Sequence, residues 1–436
     1  MSFKQENNKN KLKLLLVSFS FFPDDSPNTY RWKNIIDIWA AKGIEVFVVS
    51  AQKPGFRKFE IVNGIKIYRT GRSLFQRVKT KLGSISNENL VIRENDKSLN
   101  KESLFRKTYN FLWKRFCWPD WAFLSYYPTL KLSREIIKRE NITNLITVSW
   151  PFTDHLVGYK LKKENNLFWL AEIIDPFSFN NEINNQKIYS KLNFSVERKV
   201  LNKADLVCVM TARIQSKYVS LFPEINEKIN VIHNLYVPVK DVFLDNNKKK
   251  ESKAIKFVFM GTLSPGVRTP ENLLKIFEKL LNFKSSINLE LHLYGKINSS
   301  IKSFNEYADL INKSIFLHGS VPKNQVHYIL KEADILVNIG NSNPYQEPSK
   351  IIEYVYLGKP VINICSINND SSKELLDQYP LNFNIYKSDI ENDNMIEKLI
   401  EFVTKNLSVE RSHIDKIISP YLLEKVEKKY YNLFWK

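Results

Sequence analysis

The sequence has few cysteines and no pattern of metal ligands. Its three cysteines, Cys117, Cys208 and Cys365, are odd in number and far apart, which fits buried thiols in a reducing compartment. The six histidines form no pair at metal-ligand spacing, and no two aspartates stand two residues apart. We therefore expect neither a metal nor another cofactor, and a metal-dependent Asp-x-Asp sugar-nucleotide site finds no support.

Several motifs of common enzyme classes are also absent. The sequence lacks the Gly-x-Gly-x-x-Gly turn of dinucleotide oxidoreductases and the Gly-x-x-x-x-Gly-Lys-Thr loop of kinases and ATPases. It also lacks a Gly-x-Ser-x-Gly elbow and the chain order of a Ser/His/Asp triad. Covalent acyl transfer, P-loop phosphoryl transfer and hydride transfer are thus disfavoured, and electrostatic stabilisation of a leaving group stays open.

Long apolar runs are missing as well. No window approaches the roughly 18 uninterrupted apolar residues of a membrane span, and the best run, Leu14 to Phe22, is short and is followed by no small-residue cleavage site. We interpret this run as part of a first strand and expect a cytoplasmic protein.

The most prominent feature that is present is a formal net charge of +19. Such an excess of positive charge can bind nucleic acid, an anionic membrane surface or acidic small substrates. It can also reflect composition, because lysine, asparagine and isoleucine are frequent throughout the chain. No nucleic-acid-binding motif is present, so we expect no nucleic-acid partner.

Length and periodicity predict the fold. The 436 residues, 43% of them hydrophobic, are too many for one core. Short apolar strands alternate with helices in two successive series, which predicts two doubly wound, Rossmann-like α/β domains that face each other across a cleft. We expect domains at 1–238 and 255–418, a charged linker at 239–254, and a helix at 419–436 that packs toward the first domain.

One stretch of the second series, Ala333 to Cys365, suggests a ligand site. A buried strand is followed by a helix that Pro348-Ser349 opens and that Gly358 and Pro360 end after about three turns. The amide-rich start of this helix would lie at the carboxyl edge of the sheet, where open α/β folds bind phosphates. Lys350 could meet a diphosphate and Glu353 the hydroxyls of a ribose. Alternatively, Lys350 is a surface charge and Glu353 only complements the helix dipole.

A second cation occupies a comparable position. Arg268 follows the strand Ile255 to Met260, and it could converge with Lys350 on one diphosphate. Two cations there would stabilise the negative charge of a departing diphosphate. Singly, each is equally well a surface residue.

Two residues of the first series also follow strand ends. His155 opens a helix, where it could hydrogen-bond a sugar hydroxyl or pass a proton, or be a capped, partly exposed side chain. Asp175 could orient an acceptor hydroxyl, or Asp175-Pro176 could be only a turn. Arg31, on the first helix, is a further candidate for the acceptor or sugar side.

Residues 101–127 mix arginine and lysine with phenylalanine and tryptophan on a helical pattern. This mixture suits a membrane interface as well as it suits a core-facing helix with a solvated basic side.

Several segments resemble the glycosyltransferase family 4 signature and its GT-B relatives. The nearest match is PSKIIEYVYLGKPVI (Pro348 to Ile362). The other segments are FVFMGTLSPGVRTPENLL (Phe257 to Leu274), LHLYGK (Leu291 to Lys296), the run from His318 to Asn338, ERKVLNKADLVCVMT (Glu197 to Thr211) and VIHN (Val231 to Asn234).

The resemblance implies a metal-independent transfer of a sugar from a nucleotide donor with retention of configuration. Glu353 matches the second glutamate of the family's Glu-x7-Glu motif, which holds the donor ribose, whereas Tyr345 stands at the first and Glu347 comes two residues later. Ser349 and Lys350 match the family's helix-start positions near the donor diphosphate, and Arg268 stands near the lysine of its diphosphate-binding Arg/Lys pair. Gly261 and Thr262 lie beside them, and Thr262 replaces the usual arginine. His155 looks like the histidine that contacts the transferred sugar.

The resemblance therefore implies a retaining hexosyltransferase that uses a UDP- or GDP-sugar and a lipid-linked or glycan acceptor in surface polysaccharide synthesis. It would be cytoplasmic and peripheral on the inner face of an anionic membrane. The alternatives are a nucleotide-sugar 2-epimerase of the same architecture, or a basic binding protein without enzymatic activity.

Overall fold

The chain divides into two units, Met1–His233 and Asn234–Lys436. The computed structural model describes residues 12–70, 116–180, 186–239, 254–283, 287–405 and 407–435. Most of the predicted linker, and residues 101–115 of the basic and aromatic segment, lie outside this part. Within it, every helix is too short or too polar to cross a membrane.

The first unit is built on an eight-stranded sheet in the order β3-β4-β2-β1-β5-β6-β7-β8. All neighbouring strands are parallel except β3, which is antiparallel to β4. The strands are β1 (Lys13–Val17), β2 (Glu45–Ala51), β3 (Phe59–Val62), β4 (Ile65–Thr70), β5 (Asn144–Val148), β6 (Phe168–Ile173), β7 (Leu206–Val209) and β8 (Ile229–Val231).

Local sequence explains the elements of this unit. Asn63 and Gly64 connect the antiparallel strands β3 and β4 with φ of 50° and 79°, the conformation that favours Asn-Gly turns. The first helix begins after Ser26, whose hydroxyl accepts a hydrogen bond from the Thr29 amide at 3.1 Å. The helices are α1 (Pro27–Ala41), α2 (Tyr126–Glu140), α3 (Thr153–Glu164), α4 (Gln186–Lys203) and α5 (Ala212–Leu221).

The second unit contains a fully parallel six-stranded sheet in the order β11-β10-β9-β12-β13-β14. Its strands are β9 (Ile255–Met260), β10 (Leu289–Tyr294), β11 (Ile315–Gly319), β12 (Ile335–Ile339), β13 (Val361–Cys365) and β14 (Asn382–Tyr386). Its helices are α6 (Glu271–Phe283), α7 (Lys323–Glu332), α8 (Lys350–Tyr356), α9 (Lys373–Leu376), α10 (Asp393–Thr404), α11 (Arg411–Ile418) and α12 (Leu423–Phe434). The prediction of an α/β protein with two doubly wound sheets is confirmed.

Helices cover both faces of the second sheet, so successive side chains of β9 enter different cores. Phe257 and Phe259 pack with α6 and α10 on one face. Val258 and Met260 pack with α7, α8 and α11 on the other. Burial on both faces explains why the strand is apolar throughout rather than alternating.

An asparagine ladder crosses the same sheet. Asn338, Asn363 and Asn384 are register partners on β12, β13 and β14. The Asn338 amide donates to Asn363 Oδ1 at 2.7 Å, and the Asn363 amide donates to Asn384 Oδ1 at 2.8 Å. Each amide thus satisfies the next across three strands.

Strand order reverses once in each sheet. In the first unit β1 lies between β2 and β5, and in the second β9 lies between β10 and β12. Connections diverge at such a switch point, which leaves room for a ligand at the carboxyl edge. These two edges therefore hold the candidate sites.

The helix α8 differs from its prediction. It has seven residues, about two turns rather than three, and the Ser349 side chain forms no capping hydrogen bond. Ser349 already has helical φ and ψ of −62° and −21°, so its hydroxyl is not placed as an N-cap acceptor. Gly358 follows the helix with φ of 69°, as expected of a residue that ends it.

Candidate functional site

The predicted donor-binding residues of the second unit follow the two strands that flank its switch point. Gly261, Thr262 and Arg268 lie after β9, and Ser349, Lys350 and Glu353 lie after β12. The parallel sheet therefore places both groups at one edge.

The loop after β9 is a tight turn closed on itself. The Ser264 amide donates to the Arg268 carbonyl at 2.8 Å, and the Arg268 amide donates to the Ser264 carbonyl at 2.9 Å. Gly266 turns the chain with φ of 78°, a conformation that glycine adopts without strain.

This turn is hydrogen-bonded to the loop after β12. The Arg268 guanidinium donates to Asn341 Oδ1 at 2.9 Å. The Ser342 amide donates to the Val267 carbonyl at 2.8 Å, and its hydroxyl donates to the Gly266 carbonyl at 2.7 Å. Three hydrogen bonds thus fix the position of Arg268 relative to the second loop.

Three glycines let the backbone approach closely at this edge. A Cβ at Gly295 would lie 1.8 Å from the Gly261 carbonyl oxygen, and one at Gly340 would lie 1.5 Å from Asp370 Oδ2. A Cβ at Gly261 would lie 3.2 Å from Arg268 Nη1. Side chains at Gly295 and Gly340 are sterically excluded.

On α8, Lys350 and Glu353 form an ion pair. Lys350 Nζ lies 2.8 Å from Glu353 Oε2, and the Lys350 side chain is 39% exposed. His327 of α7 brings its Nδ1 to 3.7 Å from Glu353 Oε1. Burial by itself raises the pKa of Glu353, but the neighbouring His327 and Lys350 outweigh burial and hold this pKa below its ordinary value. The carboxylate is therefore ionised at neutral pH.

The other donor-side candidates differ in exposure. Thr262 and Ser349 are exposed, and Arg268 is half-buried. Tyr354, fully buried on α8, accepts a hydrogen bond from the Met260 amide at 3.2 Å and so ties the helix to the end of β9. Burial raises the pKa of Tyr354, while the nearby Arg268 charge lowers it.

Glu347 lies in the same loop, two residues after the position of the family's first glutamate. It is half-buried, and Asn234 donates an amide hydrogen bond to its Oε2 at 3.3 Å. Burial raises the pKa of Glu347 to about 8; the Asn234 hydrogen bond opposes this rise and the Glu374 charge adds to it. Glu347 therefore holds a proton at neutral pH, in contrast to Glu353.

In the first unit, His155 occupies the first turn of α3, beside the switch point. The ring is fully buried, its Nδ1 lies 2.7 Å from Thr147 Oγ1, and it meets Phe152 edge to face. Burial lowers the pKa of His155 to about 3, so the imidazole is neutral. The structure thus places it at the expected edge but beneath the surface, and its contact with a sugar stays a prediction.

Two buried carboxylates organise this edge. Asp154 accepts a hydrogen bond from the Phe19 amide at 2.7 Å, which anchors the loop after β1. Asp120 accepts hydrogen bonds from the Thr153 amide and hydroxyl, both at 2.8 Å, at the start of α3. Burial raises the pKa of both Asp154 and Asp120, and their proximity raises that of Asp154 further.

The other acceptor-side candidates lie at different depths. Arg31 is buried: its Nε lies 2.7 Å from Glu172 Oε1, and its Nη atoms donate to the carbonyls of Ile232 and His233 at 3.1 and 2.7 Å. Asp175 is half-buried in the loop after β6. Their roles toward an acceptor stay predictions.

Glu197 fixes the loop that carries Asp175. It is buried on α4 and accepts hydrogen bonds from the Phe177 and Ser178 amides at 3.1 and 2.9 Å and from the Tyr218 hydroxyl at 2.5 Å. The sequence offered one signal for it, because Glu197 begins a segment that resembles the glycosyltransferase family. His327 lies within another resembling segment, His318 to Asn338, but was not singled out, and Asp154 and Asn341 had no comparable signal.

Comparison with solved structures identifies the fold. Sucrose-phosphate synthase from Thermosynechococcus elongatus matches with a TM-score of 0.65 and 13% identity, over 97% of this chain and 98% of that one. The chain has the GT-B fold. No protein-family model and no curated protein matches the sequence.

Two further GT-B structures match over a similar length. WaaG, a glycosyltransferase involved in lipopolysaccharide biosynthesis, has a TM-score of 0.55 and 11% identity, over 97% of this chain and all of that one. An E. coli protein named for trehalose-6-phosphate, with UDP-2-fluoro glucose bound, has a TM-score of 0.61 and 11% identity, over 96% and 98%. The structural similarity establishes the GT-B fold. At such low sequence identities, the activity has to be argued from the site itself.

Proposed function

We propose that the protein is a retaining, metal-independent glycosyltransferase of the family 4 type, which moves a hexose from a UDP- or GDP-sugar to a glycan or lipid-linked acceptor. The observation that carries the proposal is the combination of two cations and one ionised carboxylate at the switch point of the second unit. Arg268 and Lys350 supply the cations, and Glu353 supplies the carboxylate.

These charges suit the leaving group of a nucleotide-sugar donor. Negative charge develops on the diphosphate as its bond to the anomeric carbon breaks, and a guanidinium and an ammonium stabilise that charge. Asn341 holds Arg268 in place before the ligand arrives, so little reorganisation is needed. We assign Arg268 and Lys350 to the diphosphate, with Gly261, Thr262 and Ser349 beside it.

The Lys350 and Glu353 pair gives a specific role to each partner. A bound diphosphate would compete with Glu353 for the Lys350 ammonium. Glu353 would then accept hydrogen bonds from the two ribose hydroxyls, for which an ionised carboxylate is the stronger acceptor. His327 lies on the other side of the carboxylate and keeps it charged during the exchange.

The structural neighbours support the donor class and the setting. One of them holds UDP-2-fluoro glucose, and WaaG is named for lipopolysaccharide biosynthesis. Because WaaG shares the fold, we propose a role in surface polysaccharide synthesis. The reaction would take place at the cytoplasmic face of the membrane, where a lipid-linked acceptor is presented. His155, Asp175 and Arg31 are assigned to the acceptor and sugar side.

A thermal-shift screen of UDP- and GDP-sugars tests the donor assignment, since a bound donor raises the melting temperature by mass action. The screen is repeated with EDTA, and we expect the same shifts. Stabilisation by no nucleotide sugar contradicts the proposal. The donor that stabilises most is then incubated alone and with glycan or lipid-linked acceptors. Conversion without an acceptor would identify a 2-epimerase instead.

A further inference from the structure

A buried histidine lies against the carboxylate that we assign to the donor ribose. His327 of α7 is 5% exposed, and neither of its ring nitrogens has a hydrogen-bond partner in the described part of the chain. Its Nδ1 lies 3.7 Å from Glu353 Oε1, which is within range of an ion pair but too long for a hydrogen bond. Buried polar groups are normally hydrogen-bonded, so the charge of Glu353 is what compensates this ring.

Glu353 shares its charge between two partners that differ in freedom. Lys350 Nζ lies 2.8 Å from Oε2, and the Lys350 side chain is 39% exposed, so it can turn toward a ligand. His327 faces Oε1 from another helix and is enclosed. When the Lys350 ammonium turns to a bound diphosphate, His327 is the partner that stays beside the carboxylate.

This exchange changes how strongly the His327 ring holds a proton. The Lys350 ammonium, a positive charge, moves away from the His327–Glu353 pair, and the diphosphate brings negative charge to the same edge. Both changes favour the protonated imidazole over the neutral one. Histidine is the side chain whose charge ordinarily changes between pH 5 and 8, so the change falls in the range where the protein can respond to pH.

The other titratable groups around His327 do not pair with it in the described part of the chain. Lys323 and Lys331 lie four residues before and after it on α7, and like charges at this spacing oppose a proton on the ring. The strands and the helix packed against α7 carry these further groups: Lys256, Glu290, His292, Tyr294, His318, Lys350 and Tyr354. His292 lies 2.9 Å from His318 and 3.1 Å from Glu290, and Tyr294 stacks on His318 at 4.2 Å. The ion pair with Glu353 therefore decides the charge of His327.

We propose that His327 is a positioning residue that takes up one proton from solvent when the nucleotide sugar binds, so that donor affinity depends on pH. The inference rests on the proposed function, because a donor diphosphate has to draw Lys350 away from Glu353. The protonated ring holds Oε1, and the ribose hydroxyls donate to the carboxylate where Lys350 has left Oε2. Since donor binding and proton binding are linked, the affinity falls as the pH rises and the proton becomes harder to acquire.

Calorimetric titration of the wild-type protein tests the coupling. The probe is the UDP- or GDP-sugar that stabilises the protein most, because its diphosphate is a diester and gains no proton of its own near neutral pH. Titrations in buffers of different ionisation enthalpy count the protons taken up. We expect a net uptake of up to one proton at pH 7 and a roughly tenfold loss of affinity between pH 6 and pH 8.

His327→Gln keeps a polar side chain of similar size that cannot ionise. We expect this variant to bind the same nucleotide sugar with no proton uptake and with an affinity that hardly changes between pH 6 and pH 8. His413→Gln is the matched control, since His413 is exposed on α11 of the same unit, and it should behave as the wild type does. Thermal melts report whether each variant is folded.

The outcomes separate this inference from the proposed function. Donor binding without proton uptake by the wild type would overturn the inference alone, and this measurement needs no substitution. Uptake that persists in a folded His327→Gln variant would assign the proton to another group, such as His318, and would overturn it as well. Failure of every nucleotide sugar to bind at any pH would remove the proposed function and the inference together.

Discussion

Glu353 and Glu347 show how one loop and its following helix can hold two carboxyl groups in opposite protonation states. Glu353 has a lysine and a histidine beside it, whereas Glu347 accepts a hydrogen bond from a neutral amide and lies near the negative charge of Glu374. Both are partly buried, so the sign of the nearby charge decides the outcome. The ionised residue is suited to accept hydrogen bonds from a ligand, and the protonated one can also donate.

We expect Glu353→Gln to weaken binding of the preferred nucleotide sugar by roughly 10- to 100-fold, because a hydrogen bond to a charged acceptor contributes about 1.5–3 kcal/mol. Isothermal titration calorimetry measures the affinity, and a thermal melt reports the fold. Glu401→Gln is the control, since Glu401 is exposed and paired with Lys405. Unchanged affinity in Glu353→Gln would remove this residue from the donor site.

Glu347→Gln tests the raised pKa of Glu347. In the unfolded chain this carboxyl ionises near pH 4.5, whereas the folded protein keeps it protonated up to about pH 8, so its stabilising contribution is lost as the pH rises between these values. The glutamine variant cannot ionise. We expect it to be more stable than the wild type by roughly 2 kcal/mol at pH 8, with allowance for partial exposure, and by much less at pH 5. Chemical denaturation at both pH values measures the difference, and a constant difference would contradict the assignment.

The sequence predicted the residues whose signal is local and missed those whose role depends on distant contacts. Lys350 and Glu353 are three positions apart on one helix, so their proximity follows from helical spacing. His327 and Asn341 join the site through tertiary contacts with Glu353 and Arg268, which the patterns of their own segments do not identify. His155 was placed correctly after a strand, but its complete burial depends on Phe152 and Thr147 and could not be read from its position.

At the scale of elements, the asparagine ladder explains why β14 is hard to predict from its own sequence. Asn382 and Asn384 interrupt the apolar pattern of that strand, and asparagine is uncommon in strands. In the folded sheet, Asn384 is satisfied by Asn363 of β13. A polar residue that conflicts with strand propensity is therefore accommodated by a partner that the sequence alone does not identify.

Asn363→Val should destabilise the protein by about 2–4 kcal/mol, although valine suits a buried strand. The substitution removes the Asn363 acceptor of the Asn338 amide and the Asn363 donor to Asn384 Oδ1, at a cost of about 1–3 kcal/mol per group. Asn338 keeps its hydrogen bond to Ser372 and Asn384 its hydrogen bond to Asp377, both at 3.0 Å. Urea denaturation measures the loss. Ile364→Val on the same strand is the control, with an expected cost of about 1 kcal/mol. The double variant Asn363→Val/Asn384→Val should be less destabilised than the sum of the single variants, and strict additivity would argue against the ladder.

At the scale of the whole molecule, the alternation of strands and helices was enough to predict two doubly wound sheets. Apolar runs buried on both faces are a strong signal for parallel strands. The sequence predicted less well how each connection runs. The predicted α8 was one turn too long and was capped by Ser349, which forms no such hydrogen bond. Helix ends depend on side-chain placement that composition does not determine.

The positive charge of the chain should influence how it meets an anionic donor. We expect the association rate with a UDP- or GDP-sugar to fall several-fold as salt rises from about 10 to about 150 mM, since screening shortens the range of the attraction. Stopped-flow measurements give the rate. The dissociation rate should change less, and an association rate that is independent of salt would show that the charge does not steer the donor.

The glycines at 261, 295 and 340 bear on attempts to change the specificity proposed for this site. Two of them leave no space for even a methyl group, and the third has an arginine directly beside it. A randomised library should hold these three codons constant and vary exposed neighbours such as Thr262 and Ser349. Selection at codons 295 and 340 would return mostly unfolded clones, whereas diversity at the exposed positions can alter the edge of the sheet while the strands beneath it remain intact.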